Sequence, residues 1–212
     1  MDATRELVNF FGHAAVASWS SGSAAVVLGA MLPDFATMCG ARIVGDADHD
    51  DEIARGIDLH HATDATFHRL PVVTGLMRDL DTLLAERGCA RGPRRAVAHI
   101  GVELLLDGVL VDQRDYRDAY TQALAHDGEP VWREPDDPAR FALLMTRLRA
   151  YGVPDDLREP VAITRRLGRM LGHRPLLAPS PADLEAIRDA LVVYKPRVEV
   201  AAGTVLRAMR NA

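Results

Sequence analysis

Cysteine is nearly absent: Cys39 and Cys89 are the only two in 212 residues, and neither stands in a CxxC pair. Two isolated thiols cannot staple a disulfide framework or build a thiolate zinc module. They also remove soft-metal and iron–sulfur ligation from consideration. A reducing, cytoplasmic setting is the expectation that follows. An excess of positive charge is missing too, since 25 Lys and Arg face 30 Asp and Glu for a formal net charge of −5. That balance argues against nucleic acid as a partner. The apolar run AAVVLGAML at 24–32 is too short for a bilayer span. Glu6, Asn9 and His13 interrupt the N-terminal apolar residues where a signal peptide would have an unbroken stretch. Neither export nor membrane association is therefore expected. Alternating strand patterns bounded by turns, fixed-period repeats and low-complexity tracts are also missing, so a sheet is not expected.

What is present reads helical from end to end. Apolar content is 48% and charged content 26%, ordinary for a globular chain, and the length suffices for one sizeable core. The 3–4 spacing of apolar residues predicts helices over 4–18, then a short one into MLPDF with Pro33 as its start or a kink. An acidic loop is expected over 40–49. Further helices are expected from Asp51 to Arg69, over 72–87 closed by Gly88, and from about Pro93 to Asp112. DYRDAYTQALAH continues the pattern, followed by helices over 137–151, 157–172 and 181–210, the last interrupted at Pro196. The expected architecture is all-α: a single helical-bundle domain over 1–212, with 1–112 as the core that carries the site and 113–212 as additional packing helices.

Two helices carry polar stripes at odds with their apolar surroundings. In AVAHIGVELLLDGVL (96–110), His99, Glu103 and Asp107 recur at four-residue steps. Each step of four drifts by only about 40° around a helix, so the three share one narrow stripe. GIDLHHATDATFHRL repeats the device with His60, Asp64 and His68. A stripe of this kind is either a thin wet face or a row of ligands. Neither row contains Lys or Arg, which solvated stripes usually include. Imidazole and carboxylate one turn apart can share a cation, as helical bundles do when they build metal centres. His13 in FFGHAAVA and Asp34 in LGAMLPDF lie in apolar neighbourhoods as well. A buried carboxylate is costly without a cation or several hydrogen bonds. The residue pattern thus points to a divalent-metal centre.

Four stretches in order resemble the acyl-carrier-protein phosphodiesterases, all-helical enzymes related to the HD-domain metal-dependent phosphohydrolases. NFFGH at 9–13 fits Asn-Phe-x-x-His, and GAMLPDF at 29–35 fits Gly-x-x-x-x-Asp-Phe. GIDLHHATD at 56–64 fits Gly-Ile-x-x-His-x-x-x-Asp followed by LP, and ELLLD at 103–107 fits a carboxylate-x-x-x-Asp. The likeness covers roughly the first 110 residues. It departs at Ala30, where the family has Asn; at His68, where it has Asp; and at Gly108, where it has His. His99 is an extra donor. LGAMLPDF is also similar to the Gly-Ala-x-x-Pro-Asp segment of zinc-dependent phospholipase C-like proteins.

The resemblance implies an HD-like fold and hydrolysis of the phosphodiester joining 4′-phosphopantetheine to a serine of acyl carrier protein, by attack of metal-bound hydroxide. His13, Asp34, His60, His99, Glu103 and Asp107 are the expected metal ligands; Asp64 and His68 are the expected acid–base residues. Arg69 or Arg55 would neutralise phosphate. Manganese is the first choice of ion, with magnesium, zinc or iron as alternatives. Acyl carrier proteins are acidic, and eight arginines between Arg140 and Arg174 are either scattered solubilising charges or a dock for such a partner. A di-iron oxygenase of the HD type and a non-catalytic helical protein with a structural polar or metal cluster are the other readings.

Overall fold

The computed structural model describes residues 10–45 and 50–211, which form nine α-helices and no sheet. They are α1 (Phe10–Ser20), α2 (Ala24–Cys39), α3 (Asp51–Phe67), α4 (Pro71–Glu86), α5 (Arg91–Leu110), α6 (Arg114–Ala125), α7 (Asp137–Tyr151), α8 (Pro160–Leu171) and α9 (Pro181–Arg210). The all-α expectation holds. None of the described helices is long and apolar enough to cross a membrane. The chain divides into two compact units, one taking the residues up to Asp64 with Leu110–Pro154, the other Ala65–Val109 with the residues from Asp155 onward.

The first unit is centred on α2, which is apolar around most of its circumference and buries Leu28, Met31, Leu32 and Phe35 almost completely. Phe10 packs on Phe35 and Tyr120, and Phe11 packs on Tyr120, with ring centroids 5.3–5.9 Å apart. Gly40 closes α2 in the left-handed conformation at φ 68°, the geometry that glycine adopts without a Cβ penalty. The chain beyond it runs along residues 131–133 through a single bridge between Ile43 and Trp132. Asp137, fully buried, accepts hydrogen bonds from the backbone N–H groups of Arg42 and Glu134 and so ties both segments to the start of α7.

In the second unit α4 is amphipathic, burying Val73, Leu76, Leu80 and Leu84 at steps of three and four. Ile163, Leu167 and Leu171 of α8 and Ile187, Leu191 and Val198 of α9 supply the rest of the core beside α5 residues such as Val97 and Leu104. Buried Tyr194 donates its hydroxyl to the Leu76 carbonyl at 2.8 Å. A capping box opens α9: Ser180 Oγ accepts from Asp183 N, while the Asp183 carboxylate accepts from Ser180 N at 2.9 Å and from Ala90 N at 2.7 Å.

Several helix boundaries differ from the pattern read in the sequence. The first helix runs to Ser20, and residues 4–9 of the expected element lie outside the described residues. Pro33 neither starts nor divides a helix; α2 continues through it, because its apolar surface is buried on both sides of the proline. Residues 46–49 of the acidic loop are also outside the described residues. Just after the loop, Asp50 caps α3, its carboxylate accepting from the N–H groups of Glu52 and Ile53. The element expected over 157–172 is a 3₁₀ turn, Asp155–Arg158, followed by α8, which opens on Pro160 at its first position, where the missing N–H costs no helix hydrogen bond. Helix α9 is uninterrupted at Pro196. That residue is exposed, as are Val192 and Val193 one turn earlier, so water can satisfy the carbonyl that proline leaves without a donor.

Candidate metal centres

The four-residue rhythm of α3 places Gly56, His60 and Asp64 along one stripe, and the packing of the first unit explains each position. Gly56 lies where α3 meets α2: a methyl group there would sit 2.3 Å from the Val26 carbonyl oxygen and 2.6 Å from Gly29 Cα. Gly29 is equally confined, with a methyl group 2.5 Å from the Ile53 carbonyl oxygen. Two glycines therefore let the helix backbones touch. One turn beyond the contact, buried His60 sets Nδ1 3.0 Å from the Ala30 carbonyl oxygen. A carbonyl can only accept, so Nδ1 carries the proton and Nε2 presents its lone pair.

That lone pair meets other potential ligands. His13 from α1 lies against His60, with centroids 4.0 Å apart and the rings tilted by 30°. Its Nε2 is 3.3 Å from Asp64 Oδ1 and 3.9 Å from Asp34 Oδ2, while His60 Nε2 is 3.5 Å from Asp64 Oδ2. His13, Asp34 and His60 are all buried and offer one donor atom each within 4.8 Å of one another, a span close to twice a metal–ligand bond of about 2.1 Å. Asp64 is different, with 42% of its side chain exposed. Burial first, and then the neighbouring His13, push the His60 imidazole down to about 3 from its ordinary 6.5, against the pull of Asp64 and the Ala30 hydrogen bond. His60 is thus a neutral imidazole with a fixed tautomer across the physiological range, the state in which histidine binds metal. The residues present fit a divalent ion of the zinc, manganese or iron type.

The remaining donors belong to the second unit. His68 follows α3, and α5 supplies His99 and Glu103 at successive turns. His99 Nε2 is 3.0 Å and His68 Nε2 3.6 Å from the same oxygen, Glu103 Oε1. Glu103 is buried while the imidazoles are about one-third exposed, and the three donors again lie within 4.8 Å of one another. Asp107, one turn further along α5, is 1% exposed and belongs to neither group of three. Glu103 and Asp107 on the α5 stripe are thus buried, while His99 at its start meets water. Gly108 stands against a carbonyl: a methyl group there would lie 2.3 Å from the Leu157 oxygen, so no side chain fits where the resembled family has histidine.

Arg69 and Arg55, the expected phosphate-binding arginines, are exposed. Four of the eight arginines in the arginine-rich segment engage intramolecular partners. Arg140 reaches Asp137 and the Gly40 carbonyl, Arg149 the Leu124 carbonyl and Asp127, Arg158 Asp155, and Arg166 Asp156. Arg165 and Arg169 instead line a groove with Val161, Leu184 and Arg188. Sequence reasoning overlooked a cleft of about 740 Å³ in the first unit, lined by Pro33, Arg42, Asp58, His61 and Arg133 among others. Its arginines are far apart in the chain, so no local pattern announces them. Gly29 and Gly56 head the quoted stretches GAMLPDF and GIDLHHATD, but that they let α2 and α3 touch is visible only in the packing.

The fold and its donor groups define an all-α protein with two histidine–carboxylate clusters able to hold metal. Against family models, characterised proteins and solved structures, the chain finds no match.

Proposed function

We propose that this chain is a metal-dependent phosphoester hydrolase of the HD-like kind, akin to the acyl-carrier-protein phosphodiesterases whose motifs it resembles. The observation that carries the reading is the buried His13–Asp34–His60 group with half-exposed Asp64 beside it. His13, Asp34 and His60 would hold the ion, which when bound would supply Lewis-acid stabilisation of charge on phosphorus and lower the pKa of water; manganese is the first choice, zinc, iron or magnesium the alternatives. The other functions fall to the chain itself. The Ala30 carbonyl holds the His60 tautomer, and the Gly29–Gly56 contact holds α2 and α3 at the distance this requires. Asp64, facing both imidazoles and solvent, takes a proton from the attacking water or returns one to the leaving oxygen. Arg42 and Arg133 in the adjoining cleft, which Pro33 and His61 line beside their ligand neighbours, offer guanidinium forks to a phosphate.

The substrate implied by the resemblance is the phosphodiester between 4′-phosphopantetheine and an acyl carrier protein serine. The test begins with the metals in the purified protein, then follows hydrolysis of bis-p-nitrophenyl phosphate and of holo-acyl carrier protein after chelation and metal restoration. Turnover should track the metal and disappear in Asp34→Ala together with the equivalent of metal held by His13, Asp34 and His60. Asp64→Asn should retain metal and lose turnover by about 10²-fold or more. Stoichiometric metal with no phosphoester turnover in any restored form sinks the proposal.

A further inference from the structure

The reading above leaves the second donor group without a task. It is not a fragment of an acidic surface: two imidazoles from separate segments turn their Nε2 atoms toward one oxygen of a buried glutamate, at 3.0 and 3.6 Å, with ring centroids 4.6 Å apart. A salt bridge or hydrogen bond needs only one imidazole. A carboxylate oxygen can accept from two donors, but here the convergence also sets three metal-ligating atoms within 4.8 Å of one another, close enough to share a cation. Two imidazoles and one carboxylate form a donor set suited to zinc, iron(II) and similar ions, and three protein ligands are the number at which such sites keep a position open. The two imidazoles are 35% and 31% exposed while Glu103 is 5% exposed, so the open side faces water.

We infer that His68, His99 and Glu103 form a further divalent transition-metal site, made wholly of second-unit residues, with water-facing positions able to take a small anion. His68, expected from sequence to act in proton transfer, is here a ligand. The site differs from the buried group of the first unit in its access to solvent, and it predicts an ion that exchanges faster and answers to exogenous anions.

The probe is Co²⁺ added to the metal-free full-length chain, read by equilibrium dialysis and by visible absorption, with circular dichroism to verify folding. His99→Ala removes a one-third-exposed imidazole and Glu103→Gln exchanges the carboxylate for its isosteric amide, and each should bind one equivalent fewer than wild type, or bind it at least about tenfold more weakly. His60→Asn should keep this equivalent, and inorganic phosphate should still change its absorption. Wild-type stoichiometry in both His99→Ala and Glu103→Gln overturns the inference. So does a wild-type chain whose only equivalent disappears in His60→Asn. A single equivalent lost with His99→Ala and kept in His60→Asn would support this site while removing the hydrolase centre of the first unit.

Discussion

Replacing Gly56 with alanine should loosen the first-unit centre without touching a ligand. The added methyl would lie 2.3 Å from the Val26 carbonyl oxygen, about 1 Å short of the 3.3–3.6 Å at which carbon normally meets such an oxygen. The atoms it meets are backbone of α2, so the helices must separate rather than a side chain turn aside. Alanine improves helix propensity by about 0.5–1 kcal/mol, whereas overpacking against a rigid neighbour costs about 1–3 kcal/mol. The net expectation is a loss of about 1–2 kcal/mol, or a Tm lowered by about 2–8 °C. Separation by about 1 Å also stretches the 3.0 Å His60 Nδ1–Ala30 hydrogen bond beyond its working range, and loss of such a supporting contact weakens metal binding by about 10–100-fold. Urea denaturation of the metal-free protein and calorimetric titration with Mn²⁺ or Zn²⁺ measure the two effects. Gly75→Ala is the control: no atom lies within 4 Å of a methyl there, so the same substitution should stabilise α4 by a few tenths to about 1 kcal/mol. If Gly56→Ala matches or exceeds wild-type stability and binds metal unchanged, the close helix contact does not organise the site.

The depressed His60 pKa gives the chelated protein a pH dependence of definite sign. With about 3 in the folded state against 6.5 unfolded, the unfolded chain binds the extra proton between those values. Stability from this residue is complete above pH 6.5 and falls with acidification, at up to about 1.4 kcal/mol per pH unit. Urea midpoints for wild type and His60→Asn should therefore change relative to each other between pH 6.5 and 4.5, and parallel curves would contradict the buried neutral imidazole. In the second unit, Asp183→Ala removes the acceptor of Ala90 N, Ser180 N and Ser180 Oγ. A loss of about 2–4 kcal/mol in chemical denaturation is expected; less than about 0.5 kcal/mol would mean water replaces the carboxylate. For docking of an acidic carrier protein, Arg165→Glu with Arg169→Glu should raise KM for that substrate at low salt and less so at high salt, leaving KM for bis-p-nitrophenyl phosphate unchanged. Equal KM values at low salt would exclude the α8 groove as the dock.

The chain alone determined a good deal. Its apolar periodicity specified helices throughout. The four-residue recurrence in GIDLHHATD and in HIGVELLLD singled out His60 and Asp64, and His99 and Glu103, as pairs on shared stripes. Both properties are local, set by 3.6 residues per turn and by side chains one turn apart. The fates of Pro33 and Pro196 were not local. Whether a helix survives a proline depends on what buries its flanks or hydrates the freed carbonyl, and neighbours distant in the chain decide that.

Grouping of the donors was likewise a tertiary outcome. His13, Asp34 and His60 come from three helices, and their convergence depends on how closely α2 and α3 approach. Two glycines grant that approach, with a consequence that appears only when the helices meet. That His68 meets Glu103 beside His99 likewise follows from the fold and not from its place in the α3 stripe. Periodicity says which side chains share a face of one helix; packing between helices says which faces meet, and a metal needs donors from more than one.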